Sequence, residues 1–150
     1  MKLDADTSFL ASLYLDGDAN HTVAGRIVGA ATAALRLPLT PFGMAELLNV
    51  FMRMEYKGKM HAAETQTCMT YLAQDIASGV LEESPLPANE WMTRTQDMIK
   101  AVTPLTGTRT LDAMHLAIAR LNSADTILSF DKNQRLAAKA AGFALLPVSI

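Results

Sequence analysis

Short apolar segments with the pattern of β-strands alternate along this chain with longer segments of helical periodicity. The strand candidates are residues 2–6, 38–41, 80–83, 125–130 and 144–148. The helix candidates are a segment that opens at Thr7 or Ser8 and residues 21–36, 43–57, 61–78, 87–102, 110–122 and 132–141. This alternation predicts an α/β fold in which helices cover both faces of a mainly parallel sheet.

Composition and charge place the chain among globular proteins and predict one domain over residues 1–150. Half of the residues are apolar and 19% are charged, which excludes a disordered chain. Arginines interrupt every apolar run before it reaches the ~18 residues of a membrane helix. The single Cys68 makes no internal disulfide and favours a reducing, cytoplasmic location. A net charge of −2 argues against a generally basic nucleic-acid binder but leaves a local basic patch open.

Proline and glycine set several of the expected helix boundaries. Gly79 fits the position just after the 61–78 helix, where the backbone turns left-handed. Pro87 suits the first turn of the helix that follows. Residues 104–107, Pro-Leu-Thr-Gly, are expected to be a loop that ends this helix near Val102.

Four acidic residues stand where parallel strands would end or where helices begin. Asp6 ends the first strand, and Asp131 directly follows the strand that contains Ile127-Leu128. Glu46 lies about one helical turn after the second extended segment, and Asp112 opens a helix that is almost wholly apolar. Ligands of parallel sheets bind beyond the carboxyl ends of the strands, so we expect these four side chains to lie together.

Several carboxylates in one crevice repel each other, and a hard divalent cation relieves that repulsion. Mg²⁺ and Mn²⁺ prefer oxygen ligands, and such a site suits the hydrolysis of phosphodiesters. No His/Cys spacing suggests zinc. The sequence also has no Walker A loop and no G-x-G-x-x-G segment.

Four segments, in order, resemble the motifs of the PIN-domain ribonucleases. Leu3–Leu10 resembles the opening of these enzymes, where an Asp ends the first strand and Thr-Ser follows. Residues 45–50, 110–117 and 128–132 resemble their second, third and fourth acidic motifs, and residues 140–143 match the usual tail. The order and spacing hold from residue 2 to about residue 146. The length resembles that of the VapC-type toxins of bacterial toxin–antitoxin pairs.

The resemblance implies a PIN-like three-layer α/β/α domain with a short, mainly parallel sheet of four to five strands. It also implies a Mg²⁺- or Mn²⁺-dependent endoribonuclease that a cognate antitoxin inhibits. The family positions of the catalytic and metal-holding acids fall on Asp6, Glu46, Asp112 and Asp131. The supporting polar neighbours fall on Thr7, Ser8 and Ser129. Asp4 departs from the family, in which this position is usually apolar, and whether it joins the site stays open.

A polar stripe on the 43–57 helix is the candidate path for RNA. Glu46, Asn49, Arg53 and Lys57 share this stripe, and Arg53 and Lys57 would hold phosphates of the RNA. A solvated helix surface explains the same pattern equally well. Lesser candidates for phosphate contact are Lys59, Arg109, Lys132 and Arg135. The sequence identifies no aromatic surface on which bases would stack.

Other interpretations of the same residues stay open from sequence. The Asp4-x-Asp6 pair is similar to the opening of haloacid dehalogenase phosphatases, for which Glu46 and Asp112 would be incidental. An inactive PIN-like module that only binds RNA or a partner protein is a further alternative. Asp131 could merely cap the last helix, a role that is compatible with holding a metal, and His115 is expected to be a core histidine. The sequence does not decide whether the chain forms a homodimer.

Overall fold

The structure is a computed structural model, and it describes residues 1–30, 35–86 and 88–149. Within these residues it has five strands and seven helices. The strands are β1 (Leu3–Ala5), β2 (Leu37–Leu39), β3 (Leu81–Glu83), β4 (Thr126–Leu128) and β5 (Ala144–Leu146). The helices are α1 (Thr7–Tyr14), α2 (His21–Ala30), α3 (Pro41–Tyr56), α4 (Ala62–Ser78), α5 (Glu90–Thr106), α6 (Thr110–Leu121) and α7 (Lys132–Ala140).

The chain divides into two compact units, which are described separately. Unit 1 comprises Met1–Asp6 and Pro85–Ile150, and unit 2 comprises Thr7–Ser84. The expectation of a single domain over residues 1–150 stays a prediction. No helix of the described residues is long and apolar enough to cross a membrane.

All strand pairs are parallel, which confirms the predicted α/β class. Unit 1 holds three strands in the order β1-β4-β5, with Leu3 opposite Thr126 and Thr126 opposite Ala144. Unit 2 holds the pair β2-β3, with Leu37 opposite Leu81. The five predicted strands therefore exist, and in the described residues they pair as three and two.

The core of unit 1 fixes α6 and α7 against the central strand β4. Its members are four alanines, two branched residues and one aromatic residue: Ala119, Ala124, Ala137, Ala138, Leu116, Ile127 and Phe143. Alanines on both helices leave little side-chain volume between the backbones, so the helices approach closely. This packing holds in place the first turn of α6, which carries Asp112, and the start of α7, where Asp131 is the N-cap residue.

Two helix boundaries in unit 2 differ from the predictions. The helix expected over 21–36 does not reach its predicted end, because Leu35 and Arg36 are not helical, and residues 31–34 lie outside the described residues. The chain is instead extended towards β2, where the Leu37 N–H donates to the carbonyl of Val80 at 2.9 Å. The 43–57 helix starts earlier, at Pro41, because the Thr40 hydroxyl accepts a hydrogen bond from the Gly43 N–H at 3.0 Å and caps it.

The prediction of a loop over residues 104–107 is wrong, because α5 continues to Thr106. Pro104 lies inside α5 and lacks the N–H of one backbone hydrogen bond, yet the helix continues for two more residues. The Thr106 hydroxyl donates to the carbonyl of Val102 at 2.7 Å and supports the last turn. The helix ends at Gly107, whose φ of 68° is the left-handed conformation that glycine adopts without strain. The predicted helix start at Pro87 lies outside the described residues, and α5 begins at Glu90.

Candidate active site

Asp6 and Ser129 meet in unit 1 at the carboxyl ends of two paired strands. The Asp6 N–H donates to the carbonyl of Leu128 at 3.0 Å, which extends the pairing of β1 with β4 by one residue. The Ser129 hydroxyl then donates to Asp6 Oδ2 at 2.5 Å. Ser129 is completely buried and Asp6 is buried. This contact fixes the Asp6 carboxylate where the sequence predicted it, at a strand end.

Asp131 follows two residues after Ser129 and is tied to it. The Asp131 N–H donates to Ser129 Oγ at 3.1 Å, so one hydroxyl connects the segments that carry Asp6 and Asp131. Asp131 Oδ1 accepts the Gln134 N–H at 2.8 Å and caps α7. The capping interpretation is therefore confirmed, and it leaves Asp131 exposed at the end of β4.

Asp112 lies in the first turn of α6, and its carboxyl group interacts electrostatically with that of Asp131. Burial, and then the negative charge of Asp131, raise the pKa of Asp112, while His115 and Arg109 act in the opposite direction. The side-chain amide of Gln134 donates to the backbone carbonyl of Asp112 at 3.3 Å. Gln134 thus connects the beginnings of α6 and α7, each of which carries one acid. The structure thus links Asp131 to Asp6 through Ser129 and to Asp112 through Gln134.

Asp4 lies on the middle residue of β1, opposite Ile127, and is buried. The pKa of Asp4 is raised to about 7, chiefly by burial; His115 opposes this rise and the charge of Asp6 adds to it. A buried carboxyl that holds its proton near neutral pH is a poor nucleophile. The phosphatase alternative, which needs an accessible nucleophile at the first Asp of the pair, has no support from this geometry.

Glu46 and Thr7, which the sequence analysis singled out separately, are in contact within unit 2. The Thr7 hydroxyl donates to Glu46 Oε2 at 2.7 Å, which connects the first turn of α1 to α3. Ser8 also lies in the first turn of α1 and is half-buried, and its carbonyl accepts the Ser12 hydroxyl at 2.9 Å. In the sequence, Thr7 directly follows Asp6.

The cations suggested for RNA fall into two groups. Arg53 on α3 and Lys57 at its C-cap are exposed, and so are Lys59, Arg109 and Lys132. Arg135 is buried on α7, and its guanidinium donates to the carbonyls of Ser129 at 2.9 Å, Pro147 at 2.8 Å and Val148 at 3.3 Å. Arg135 is therefore a structural tie between the site segment and the C-terminal segment, and its suggested role in RNA binding is wrong.

Sequence reasoning missed the structural roles of Gln134 and Arg135. Helical periodicity could have indicated that both side chains are buried. Ala137 lies three residues after Gln134 and Ala138 three residues after Arg135, and both alanines are buried. Both polar residues therefore belong to the inward face of α7. Their binding partners are set by other segments, which the periodicity of one helix does not indicate.

The carboxylates of the site suit a hydrated hard cation. In the described part of the chain, no group of three or more His, Cys, Asp or Glu side chains is placed to hold a metal ion. Mg²⁺ needs fewer protein ligands than that, because it keeps several waters and binds through one or two carboxylates together with substrate phosphate. Asp112 and Asp131, whose charges interact, supply two such carboxylates. The residues present therefore fit Mg²⁺ or Mn²⁺.

The sequence of the chain matches the model of a known protein family. Residues 5–140 match the model of the PIN domain, which is most of the chain. The chain belongs to the PIN domain family. PIN-domain proteins are nucleases, and nucleases are hydrolases. No curated protein matches this chain by sequence.

Solved PIN-domain structures share the fold at low sequence identity. VapC20 of Mycobacterium tuberculosis, a toxin that cleaves the sarcin–ricin loop, aligns with a TM-score of 0.64, 18% identity and coverage of 95% of this chain and 96% of its own. FitAcB of Neisseria gonorrhoeae aligns with a TM-score of 0.63, 16% identity and 95% coverage of each chain. VapBC2 of Rickettsia felis, bound to a promoter DNA fragment, aligns with a TM-score of 0.64, 11% identity and 97% coverage of each chain.

We expect Asp4→Asn to stabilise the metal-free PIN domain more at pH 8 than at pH 5. Folding raises the Asp4 pKa from 3.8 to about 7, so the unfolded chain loses this proton first as the pH rises. The stability of the wild type therefore falls across this window, and the full cost is present above the folded-state pKa. Each unit of pKa shift corresponds to about 1.4 kcal/mol. Urea unfolding in EDTA at both pH values measures the difference.

The control for this experiment is Asp97→Asn, which makes the same change on a side chain that is 55% exposed. The two variants are compared by how much each changes the free energy of unfolding between pH 5 and pH 8. If both show the same pH dependence, the buried Asp4 does not titrate as described.

We expect Arg135→Lys to lower the free energy of unfolding by roughly 1–3 kcal/mol. The two guanidinium nitrogens of Arg135 reach the Ser129 carbonyl and the C-terminal carbonyls together, which a lysine ammonium cannot do. Buried carbonyl oxygens would therefore lose a hydrogen-bond donor. Arg94→Lys is the control, because that side chain is 60% exposed. Equal stability of the two variants in chemical denaturation would contradict the structural role of Arg135.

Proposed function

We propose that this PIN domain is a Mg²⁺- or Mn²⁺-dependent endoribonuclease and the toxin of a toxin–antitoxin pair. The observation that carries the proposal is the Ser129 hydroxyl, which binds the Asp6 carboxylate and the Asp131 backbone at the end of two parallel strands. Asp112 adds a carboxyl whose pKa is raised by Asp131. VapC20, which has this fold, is a toxin that cleaves the sarcin–ricin loop, and this supports RNA as the substrate.

The residues proposed to hold the cation are Asp6, Glu46, Asp112 and Asp131. When bound, the cation supplies charge stabilisation on the phosphate and lowers the pKa of a coordinated water. Burial and the negative charge of Asp131 make the Asp112 carboxylate costly to keep ionised without a cation. Such an acidic site therefore favours a hard divalent cation, which prefers oxygen ligands.

The polar neighbours position these acids. Ser129 fixes the rotation of the Asp6 carboxylate, and the backbone N–H of Gln134 fixes that of Asp131. Thr7 holds Glu46 through a 2.7 Å hydrogen bond within unit 2. We infer that Glu46 acts with the acids of unit 1, because Thr7 adjoins Asp6 in the sequence and Glu46 falls on the second acidic motif of the family. Such positioning contributes to catalysis because the donors need no reorganisation during the reaction.

Arg53 and Lys57 are proposed to contact RNA phosphates. Seven and eleven residues separate them from Glu46, and at about 100° per residue both lie within about 20° of its direction on α3. They would hold the RNA strand next to the acids without taking part in bond cleavage. An ordinary solvated helix surface is the alternative.

We further propose a cognate antitoxin and a cytoplasmic site of action. The structural likeness to VapC20, FitAcB and VapBC2 supports membership of a toxin–antitoxin pair. The RNA that such a toxin cleaves and the antitoxin that restrains it are both made in the cytoplasm. Whether two copies of the chain associate is part of the same proposal, and sedimentation of the purified protein decides it.

We expect Asp6→Asn, Glu46→Gln, Asp112→Asn and Asp131→Asn each to lower the rate of RNA cleavage by at least about 100-fold. Losing one charge-stabilising group from a preorganised site has an effect of this size. The amides have nearly the same shape as the acids, so the variants should still fold, and an asparagine at position 131 can still cap α7. Cleavage of a labelled RNA in Mg²⁺ or Mn²⁺ measures the rates.

Asp97→Asn, on the exposed surface of α5, is the matched control and should cleave RNA like the wild type. Near wild-type cleavage by Asp6→Asn would remove the central claim. A wild type that binds RNA and does not cleave it with either metal would instead identify an inactive binding module.

We expect Mg²⁺ or Mn²⁺ to raise the melting temperature of the wild type. At a metal concentration of 100 Kd the gain is about 2.7 kcal/mol, or roughly 5–10 °C for a chain of this length. Asp6→Asn and Asp112→Asn should show a smaller gain, whereas Asp97→Asn should respond like the wild type. Thermal unfolding across a metal titration measures this, and equal gains in all four proteins would contradict the assigned ligands.

A further inference from the structure

Three cations surround an almost fully exposed tyrosine at the C-terminal end of α3. Arg53, Lys57 and Lys59 are exposed, and Tyr56 is 91% exposed. We call these four residues the α3-end patch. The chain as a whole has a net charge of −2, yet Glu55 is the only acid in its sequence between residues 47 and 63. The patch is therefore a local positive region of unit 2.

The backbone that carries the patch is fixed by hydrogen bonds. The Lys59 N–H donates to the carbonyl of Met54 at 2.9 Å, and the Gly58 N–H donates to that of Glu55 at 2.9 Å. Gly58 has a φ of 66°, so these bonds form the left-handed turn that commonly ends a helix. Lys59 is thereby held beside the last turn of α3. The backbone of the patch therefore has a defined conformation.

Folding does not account for the exposed ring of Tyr56. Tyr14, by contrast, is buried, packs edge-on against Phe51 and donates its hydroxyl to Asp75 at 2.7 Å. Tyr71, on α4, is 54% exposed. Among the aromatic side chains of the described residues, Tyr56 is the most exposed. Its ring therefore contributes least to the core.

The helix dipole explains the cations of the patch but not the tyrosine. Cations near a helix C-terminus interact favourably with the last carbonyls, so Arg53 and Lys57 would stabilise α3 without any ligand. An aromatic ring gains nothing from the dipole. An exposed ring among cations is the combination that single-stranded nucleic acid requires, because bases stack on the ring and phosphates pair with the cations.

We propose that the α3-end patch binds single-stranded RNA, with Tyr56 stacked on a base and Arg53, Lys57 and Lys59 on neighbouring phosphates. This inference rests on the proposed ribonuclease function and extends it to a base-binding position outside the acidic site. Arg53 lies about 10 Å and Lys57 about 16 Å along α3 from Glu46, at 1.5 Å per residue. A stacked strand rises about 3.4 Å per nucleotide, so the contacted base lies roughly three to five nucleotides from the one at Glu46.

The test measures RNA affinity in the full-length chain carrying Asp6→Asn, so that no cleavage occurs. The variants are Tyr56→Ser, which removes the ring, Tyr56→Phe, which keeps it, and Tyr71→Ser as the matched control on α4. The probes are a labelled single-stranded RNA of mixed sequence and a strand of equal length without bases. Fluorescence anisotropy gives the dissociation constants.

Tyr56→Ser should weaken binding of the RNA about fivefold to 150-fold, the size of one base–aromatic stack, and leave binding of the strand without bases unchanged. Tyr56→Phe and Tyr71→Ser should bind both probes as the background does. The double variant Arg53→Gln/Lys57→Gln should lower the log–log salt slope by about 1.4, or ~0.7 for each lost phosphate contact.

Three results would overturn the proposal. The first is equal RNA affinity of Tyr56→Ser and Tyr71→Ser. The second is an equal loss of affinity for both probes, because the ring would then act through the fold and not through a base. The third is a changed oligomeric state of Tyr56→Ser in sedimentation with unchanged RNA affinity, which would assign the patch to contact with a second copy.

Failure of this inference and failure of the ribonuclease function give different results. Cleavage by the protein with native Asp6 tests the function, and binding by the Asp6→Asn background tests the patch. A chain that cleaves RNA and ignores the loss of Tyr56 refutes the patch alone. A chain that stacks a base on Tyr56 and does not cleave supports the patch and refutes the nuclease.

Discussion

The buried hydroxyl of Ser129 is the contact on which the acidic site of unit 1 depends. It donates to Asp6 and accepts the backbone N–H of Asp131, while Arg135 donates to the Ser129 carbonyl. Ser129 has no exposed surface, so water does not substitute for any of these partners. Because an unpaired buried polar group is costly, the three segments are held in one arrangement. The same bonds that satisfy the buried backbone thus orient the acids.

The acids themselves oppose folding in the absence of a cation. Burial and mutual repulsion raise the pKa of Asp4 and Asp112, so their ionised forms cost free energy at neutral pH. The alanine-rich packing of α6 and α7 against β4 contributes folding free energy that offsets this cost. A functional site that weakens the metal-free protein also explains why metal binding would stabilise it.

The sequence by itself determined the elements of the fold and the candidate acids. Alternating patterns indicated five strands and the helices between them, and the order of four acidic motifs indicated the family. Local signals sufficed there, because strand ends, helix caps and turns depend on neighbouring residues. The local rule failed at Pro104, where a proline near the helix end was compatible with a last turn that hydroxyl groups support.

Only the tertiary structure decided which side chains are buried and which partners they have. The sequence left open whether Asp4 joins the acidic site, and the structure makes it a buried residue of β1. Arg135 looked like a surface cation and is a buried donor to three carbonyls. The partners of Asp6 and Arg135 lie in other segments, and Asp6 and Ser129 are 123 residues apart. Burial and pairing of this kind arise when distant segments pack, and a pattern that spans one helix or strand carries no information about them.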